Sequence, residues 1–355
     1  MTIDYLIVGG GLAGIAFAQH CRIHQKSFLL LSDDSQNSSR IAAGLYNPVV
    51  LKRFSAVWQA QEQLNLVQIF YQQFATDLKA QFDFPKPLHR IFYSIEEQNN
   101  WFSAADKPQL APFLSTQLIP PQKVPISAPF GFGAVEHCGF VDTAALVSNF
   151  RNYLHAHNQF RNERFNYNEL QLQDHSVSYH DIKAKHLIFA EGFGIHQNPF
   201  FNYLPLDGTK GELLIIKAPE LKSDVIIKSG VFVLPLGNDL YKVGATYNWE
   251  DKSDLKTEEA RKELCANLDT FLHCDYKVVE HYAGVRPTVK DRRPLVGTHP
   301  LFPQLQVLNG LGTRGVMLGP AMAKALFEHL EYEFPLDPYI DIKRIKNAPS
   351  NPYQN

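Results

Sequence analysis

Residues 5–8 (YLIV) form an unbroken apolar run, the pattern of a strand buried on both faces, and they pass directly into the glycine-rich stretch GGGLAG at 9–14. Apolar positions then recur at helical spacing from Leu12 to about Ile23, and a second apolar run, SFLLL at 27–31, follows. The pattern predicts strand, sharp turn, amphipathic helix, strand. Further along, Val57, Ala60, Leu64, Val67, Phe70, Phe74 and Leu78 keep helical spacing behind Ser55 as N-cap, which predicts one long helix ended by the stretch Pro85 to Pro87. From Leu88 to about Phe140, the runs LHRIFYS and GFGAVEHCGF read as strands with prolines between them, a first visit to a second domain. Asp142 is the expected N-cap of another helix, with Leu146, Val147, Phe150 and Leu154 on one face.

Strands return after that helix. HLIFAEGFG at 186–194 is followed by GELLIIK, by DVIIKSGVFVLPL with a turn at Ser229 and Gly230, and by LYKVGAT, all patterned as an antiparallel sheet would be. A charged helix is expected from Lys256 to about Leu272 and a strand from Tyr276 to Arg286. The stretch LQVLNGLGTRGVMLGPAMAKALFEHL, 305–330, then repeats the opening order of strand, glycine turn and helix, with Pro320 placed in the first turn, where no N–H donor is needed. The tail NAPSNPYQN, from Asn347, is expected to be loose.

The glycines of the first turn have separable tasks. Gly9 permits the sharp turn, Gly11 lets a pyrophosphate approach the backbone, and Gly14 lets the helix pack closely on the strand. The helix starting at Leu12 and Ala13 aims its unpaired N–H groups and positive dipole end at that diphosphate. Such a fold usually places an acid on the adenosine ribose at the end of the second strand. Counting from Gly9 reaches Ser32, with Asp33 and Asp34 next, so either Asp33 takes the ribose by a one-residue shift or Ser32 does so with a neutral hydrogen bond. Small residues across SSRIAAGLYNPVV, 38–50, suit backbone lying against a flat or extended ligand.

At 355 residues, 45% apolar and 20% charged, the chain can build two domains with sizeable cores. Its 34 basic and 36 acidic residues give a net charge of -2, so no bulk field draws it to nucleic acid or anionic membrane. The opening residues carry no basic cluster and their apolar run is broken by three glycines, so neither a signal peptide nor a membrane span is expected, and a cytoplasmic setting follows. Cys21, Cys138, Cys265 and Cys274 form no CxxC pair and read as core thiols; His155 and His157 have no third ligand nearby and read as a solvated helix face, so no metal site is expected.

Taken together, GGGLAG at 9–14, AAG at 42–44, AEG at 190–192, GVRPTVKDRRPLVG at 284–297 and GLGTRGVMLGPA at 310–321 resemble the D-amino-acid oxidase superfamily of FAD-dependent oxidoreductases. The resemblance covers nearly the whole chain. It is similar both to the glycine and sarcosine oxidase branch and, through GLYNPVVLKRF and LGTRGVMLGP, to the flavin domain of the enzyme that processes carboxymethylaminomethyl-uridine in tRNA. The resemblance implies an α/β fold: a two-dinucleotide-binding, Rossmann-like FAD domain (1–84, 141–205 and 284–355) with an interleaved antiparallel-sheet substrate domain (85–140 and 206–283). It implies noncovalent FAD along Gly44 and Leu45, Phe165 offering backbone bonds to adenine, Ala190 and Gly192 at a third strand edge, and Gly312, Thr313, Arg314, Gly315 and Val316 along the flavin's pyrimidine side. Arg286, in GVRP, would hold a substrate carboxylate, and Arg314 falls where glycine oxidase has a second active-site arginine. Two departures stand out: Phe232 replaces a substrate-contacting tyrosine of glycine oxidases, and Gly284 lies near where sarcosine oxidases attach flavin through cysteine.

The implied chemistry is transfer of a hydride from an α-carbon to flavin, with the imine then hydrolysed. A carboxylate calls for a planar double donor, which arginine supplies and lysine does not. The competing readings of Arg286 are an ion pair with Asp291 or a solvated strand end. Lys52 and Arg53 read either as cations approaching the flavin edge or, preferred, as a solvated helix start, and no histidine or carboxylate stands out as an obligatory base. The expected partner is a small amine or amino acid, with no oligomeric state indicated. A tRNA substrate is the alternative, which near-neutral charge disfavours, and a noncatalytic FAD-binding protein is the reading outside enzymology.

Overall fold

The structure is a computed structural model that describes residues 1–33, 35–121 and 124–346. Asp34 and the tail from Asn347, expected to be loose, lie outside the described residues. The apolar opening run is the central strand, Thr2–Val8, of an eight-stranded sheet. It pairs in parallel with Phe28–Ser32 on one side and Ile182–Phe189 on the other; beyond them, also parallel, lie Phe160–Asn162 and Leu305–Asn309. Val8 stands opposite both Leu31 and Phe189, so these strands end at one common edge, where ligands of open parallel sheets bind. A hairpin, Leu170–Gln173 with Ser176–Tyr179, and the strand Leu295–Thr298 complete the sheet in antiparallel pairings.

The α-helices of the described residues are α1 (Leu12–Ile23), α2 (Ser38–Ile41), α3 (Ala60–Leu78), α4 (Ile95–Ala105), α5 (Thr143–Ala156), α6 (Glu258–Asp269) and α7 (Gly315–Tyr332). The helices that follow the two glycine turns, α1 and α7, lie against each other. Small residues permit it: a Cβ on Gly315 would meet Leu12 Cδ1 at 3.2 Å, and one on Gly319 would meet the Leu12 carbonyl at 3.8 Å. Both helices therefore begin at the same edge of the sheet.

Pro320 sits in the second turn of α7 and not in the first, so it deprives the Val316 carbonyl of its usual i+4 donor. The buried Tyr71 hydroxyl, from α3, donates to that carbonyl at 3.0 Å in its place. Tyr71→Phe is expected to leave the carbonyl unsatisfied and to cost about 1 to 3 kcal/mol, read as a lowered denaturation midpoint at unchanged slope.

A second eight-stranded sheet runs in the order Lys277–Arg286, Thr209–Lys217, Leu240–Gly244, Phe232–Gly237, Ile226–Lys228, Leu88–Ile91, Phe132–Val135, Leu114–Ile119. All pairs are antiparallel except Ile226–Lys228 with Leu88–Ile91. One face packs beneath α6, where Leu264 and Leu268 join Leu214, Val233 and Val243 in a buried cluster. The opposite face carries Gly211 across from Gly284, and Leu213 and Phe232 both across from Gly244; this face looks toward the edge where α1 and α7 begin.

Four expectations need correction. Ser55 is no N-cap: Ser55–Ala56 pairs with Val49–Val50, and α3 starts at Ala60 behind Gln59 in a left-handed conformation (φ 48°). Val57 is buried outside the helix, its N–H donating to the Pro48 carbonyl at 2.8 Å. That pairing places Lys52 and Arg53 in an exposed turn and not at a helix start. Pro85 to Pro87 do not end α3 either; it stops at Leu78 with Lys79 in a left-handed cap (φ 51°), and Pro85 lies in the strand Asp83–Pro85. The region read as strands from Leu88 to Phe140 also contains α4, capped by Ser94, which accepts from the Glu97 N–H at 3.1 Å.

Candidate active site

The edge shared by α1, α7 and the second sheet opens into a cleft of about 540 Å³. Of the residues singled out from the sequence, Gly9, Gly11, Leu12, Ala13, Ser32, Asp33, Gly44, Leu45, Phe165, Ala190, Gly192, Arg286 and Gly312 to Val316 all line it. Gly14 does not. It has the packing task assigned to it, since a Cβ there would lie 1.8 Å from the Gly9 carbonyl oxygen. Gly9 is in the positive-φ region (φ 109°), and a Cβ on it would lie 2.3 Å from the Ala190 carbonyl, so the first turn nests against the end of Ile182–Phe189.

At the α1 end, the helix N-cap is Gly11, which offers no side-chain cap, and the first turn holds no acidic residue. A Cβ on Gly11 would come within 2.9 Å of Ser39 Oγ, and that hydroxyl accepts from the Leu12 N–H at 3.0 Å. A helix N-terminus with glycine at its N-cap and no acid in its first turn has the features a diphosphate requires. Ser32 and Asp33 both face this end. Ser32 Oγ donates to the Asp33 carbonyl at 3.1 Å, while Asp33 Oδ1 accepts from Ser35 N and Oγ at 3.1 and 2.5 Å, so both polar side chains remain alternatives for a ribose.

The Phe165 ring stacks on Tyr179 with centroids 4.4 Å apart, which fixes the backbone there along the cleft wall. Glu191, in the AEG run, also lines this end. Tyr167 Oη donates to one of its oxygens and Asn198 Nδ2 to the other at 2.8 Å; burial nonetheless pushes the carboxyl up to about 7.

The other end of the cleft is built from the second glycine turn and the second sheet. Gly312 has φ 56° and its N–H donates to the Pro287 carbonyl at 2.9 Å, which ties the turn to the chain just beyond Arg286. Gly44 has φ 70°, and a Cβ would lie 1.8 Å from the Val141 oxygen. The ammonium of Lys242, from the second sheet, donates to the Ala42 carbonyl at 3.1 Å and so joins the AAG segment to that sheet; burial lowers its pKa.

Arg286, at the end of its strand, lies across Gly211: a Cβ there would sit 1.9 Å from Nη2. Its Nη1 donates to the carbonyls of Thr246 (3.2 Å) and Lys210 (3.4 Å), and the guanidinium carbon lies 4.6 Å from the centroid of the Tyr247 ring. It has no ion pair with Asp291, which pairs with Arg344 at 3.2 Å. Arg314 Nη1 donates to the Asn47 carbonyl at 2.8 Å. Burial pulls both guanidiniums below their ordinary range, Tyr247 opposes this for each, and Arg292 adds to it for Arg314.

Three features of the site escaped the sequence reading. Tyr247 lies on the loop after Leu240–Gly244; Ser39 holds the α1 N-terminus; Gly211 makes room for Arg286. Only Gly211 left a trace, as a glycine opening an otherwise apolar strand.

A dinucleotide-sized cleft between two glycine turns, faced by an antiparallel sheet that presents arginine, defines an oxidoreductase site of the two-dinucleotide-fold class. The model of the FAD dependent oxidoreductase family (DAO) matches residues 4–329, and the chain belongs to that family, so FAD is its cofactor. It is similar to glycine oxidase of Pseudomonas aeruginosa, 25% identical over 166 residues that make up 45% of this chain and 46% of that one. It is also similar to the tRNA 5-methylaminomethyl-2-thiouridine biosynthesis bifunctional protein MnmC of Shewanella halifaxensis, 29% identical over 182 residues covering 40% of this chain and 28% of that one. The matched stretches thus span less than half the length of these curated relatives. Among solved structures, glycine oxidase from Geobacillus kaustophilus superposes with a TM-score of 0.80 at 17% identity, covering 95% of this chain and 97% of that one, a likeness of fold. Among the described residues no helix is long and apolar enough to cross a membrane.

Proposed function

We propose that the protein oxidises the carbon–nitrogen bond of an amino acid or N-substituted glycine, with Arg286 holding the substrate carboxylate. The reading rests on one observation above the rest: Arg286 is a half-buried guanidinium over a glycine, lining the cleft, with no carboxylate partner among the described residues. A charge so placed is costly unless an anion comes to it. FAD, when bound, supplies a two-electron acceptor for the hydride. The protein's part is to bind and orient. Arg286 fixes the carboxylate, Phe232 and Leu213 beside it wall the substrate with apolar surface, and Tyr247 closes over the guanidinium.

The α-carbon loses C–H as a hydride, the amine nitrogen becomes an imine, and water adds to give an oxo-acid and the released amine. Among the described residues neither histidine nor lysine lines the cleft, and its carboxyls, Asp33, Glu163 and Glu191, are taken up by Ser35, Tyr179, Tyr167 and Asn198, so the substrate enters as the neutral amine with no side-chain base. The cofactor contacts follow the sequence assignments: diphosphate at Gly9, Gly11, Leu12 and Ala13, ribose at Ser32 or Asp33, adenine along Phe165, flavin along Gly44, Leu45 and 312–316. No cysteine lines the cleft, and a Cβ on Gly284 would meet Ile41 Cδ1 at 2.4 Å, which supports noncovalent attachment. The domains divide as 1–84, 141–205 and 284–355 against 85–140 and 206–283, and four free cysteines support a reducing, cytoplasmic setting.

Anaerobic mixing with glycine, sarcosine and other amino acids tests this reading: bleaching of the flavin band is expected, and retention of the oxidised spectrum with every amine contradicts it. The likeness to MnmC favours a second reading, the same carbon–nitrogen oxidation on a carboxymethylaminomethyl group of tRNA. It requires that tRNA carrying the group bleach the flavin where free amino acids do not.

A further inference from the structure

We infer that the substrate carries two anionic groups, one held by Arg286 and the second by Arg314. The inference rests on the proposed carbon–nitrogen oxidation and names its substrate class. The charge distribution of the cleft carries it. Of its acidic lining residues, Asp33 is turned to Ser35, Glu163 accepts from Tyr179 Oη at 2.8 Å, and Glu191 is bound by Tyr167 and Asn198; all three belong to the ribose end. Arg286 and Arg314 line the cleft with no acid bonded to either among the described residues; the other lining arginines are Arg40 on α2, Arg151 on α5 and Arg164 beside Phe165.

Among the described residues each guanidinium is steadied only by neutral partners: Arg286 by two carbonyls and the Tyr247 ring, Arg314 by the Asn47 carbonyl. Neutral acceptors orient an arginine but do not cancel its charge. Withdrawing one cation from water without a counter-charge is already unfavourable, and the cleft does so twice, with Arg292 adding repulsion at Arg314. The fixed negative charges of a dinucleotide are its phosphates, which by the assignment above belong at α1, and an oxidised flavin ring is neutral. Hydride uptake places a negative charge on the ring only as the reaction proceeds, so in the complex that precedes it the substrate is the source of negative charge for both arginines. An amino acid with a second carboxylate supplies both, on its nitrogen or on its carbon chain, whereas glycine leaves one arginine uncompensated. The four N–H donors of Arg314 that do not serve Asn47 suit a carboxylate taken through two parallel bonds.

The test compares matched pairs on the FAD-loaded enzyme: iminodiacetate against N-ethylglycine places the second carboxylate on nitrogen, and aspartate against 2-aminobutyrate, each enantiomer separately, places it on carbon. The expected result is a kcat/KM ratio of dicarboxylate to monocarboxylate of about 10 to 100 in one pair, the range a charge-assisted bond provides, collapsing toward one in Arg314→Met. Each protein's ratio is internal, so partial loss of flavin or stability in the variant cancels. A ratio near one in both pairs of the unaltered enzyme, or a ratio that Arg314→Met leaves intact, overturns the inference while the proposed oxidation stands. Failure of every amine to bleach the flavin overturns both.

Discussion

Arg286→Ala is expected to lower kcat/KM on amino-acid substrates by about 30-fold to several thousand-fold, the cost of truncating one partner of a buried charge pair, while the purified variant keeps its FAD. The size follows from the surroundings. The guanidinium is partly withdrawn from solvent, which pulls its pKa down, and the substrate carboxylate would be withdrawn with it. Arg286→Lys is expected to recover little, because a lysine cannot present two parallel donors to a planar carboxylate. Gly211→Ala provides a check that leaves the arginine in place: its Cβ would fall 1.9 Å from Nη2 and must displace the guanidinium, so its kinetic loss should follow that of Arg286→Ala. Steady-state kinetics beside the flavin absorbance of each variant measure both. Wild-type kinetics in Arg286→Ala would remove this residue from substrate binding.

The second large effect concerns the first glycine turn. Gly14→Ala would put a methyl group 1.8 Å from the Gly9 carbonyl oxygen, a backbone atom that cannot swing aside, so α1 must lift from the strand or the turn must deform. A loss of about 4 kcal/mol or more, with failure to retain FAD, is expected in chemical denaturation followed by tryptophan fluorescence. Gly192→Ala is the contrasting case. It has φ 58° but nothing within 4 Å of the added Cβ, so only backbone strain of about 1 to 2 kcal/mol is expected. Comparable losses in the two variants would show that close packing is not what Gly14 provides.

These two residues also mark how far the sequence reaches. The opening strand, turn and α1 were legible because local signals agree there: an apolar run, glycines at fixed spacing and helical periodicity all begin and end together. The second glycine turn was legible for the same reason, as were Asp142 at the start of α5 and the strand at Arg286. Ser55 misled because a good capping residue ahead of a periodic run competes with pairing to Val49–Val50, a contact that periodicity does not register. Ser94 is an N-cap that was overlooked, with the Glu97 carboxylate accepting from the Tyr93 N–H just ahead of it: α4 buries only Trp101, Ala104 and Ala105, too few apolar positions to announce a helix between strand-like runs.

Within the cleft, residues in glycine motifs were legible because close backbone approach leaves no room for a side chain there, as at Gly9 and Gly44. Tyr247 was not, since its place depends on which strands become neighbours. Lys277–Arg286 and Leu240–Gly244 flank the same strand, Thr209–Lys217, and Asn248 bridges to Lys210; that pairing alone lays the ring over Arg286. Ser39 is similarly silent in sequence. Its hydroxyl matters only because α2 returns to the N-terminus of α1.

The central claim is that two glycine turns distant in sequence hold one FAD whose reactive end faces Arg286. A crystal structure of the holoenzyme with a non-reacting carboxylate such as glycolate tests it most directly. The account predicts the diphosphate on 9–13, the flavin ring along 312–316 and the glycolate carboxylate on Arg286. A ring lying away from the second glycine turn, or a carboxylate bound elsewhere in the cleft with Arg286 left aside, would contradict it.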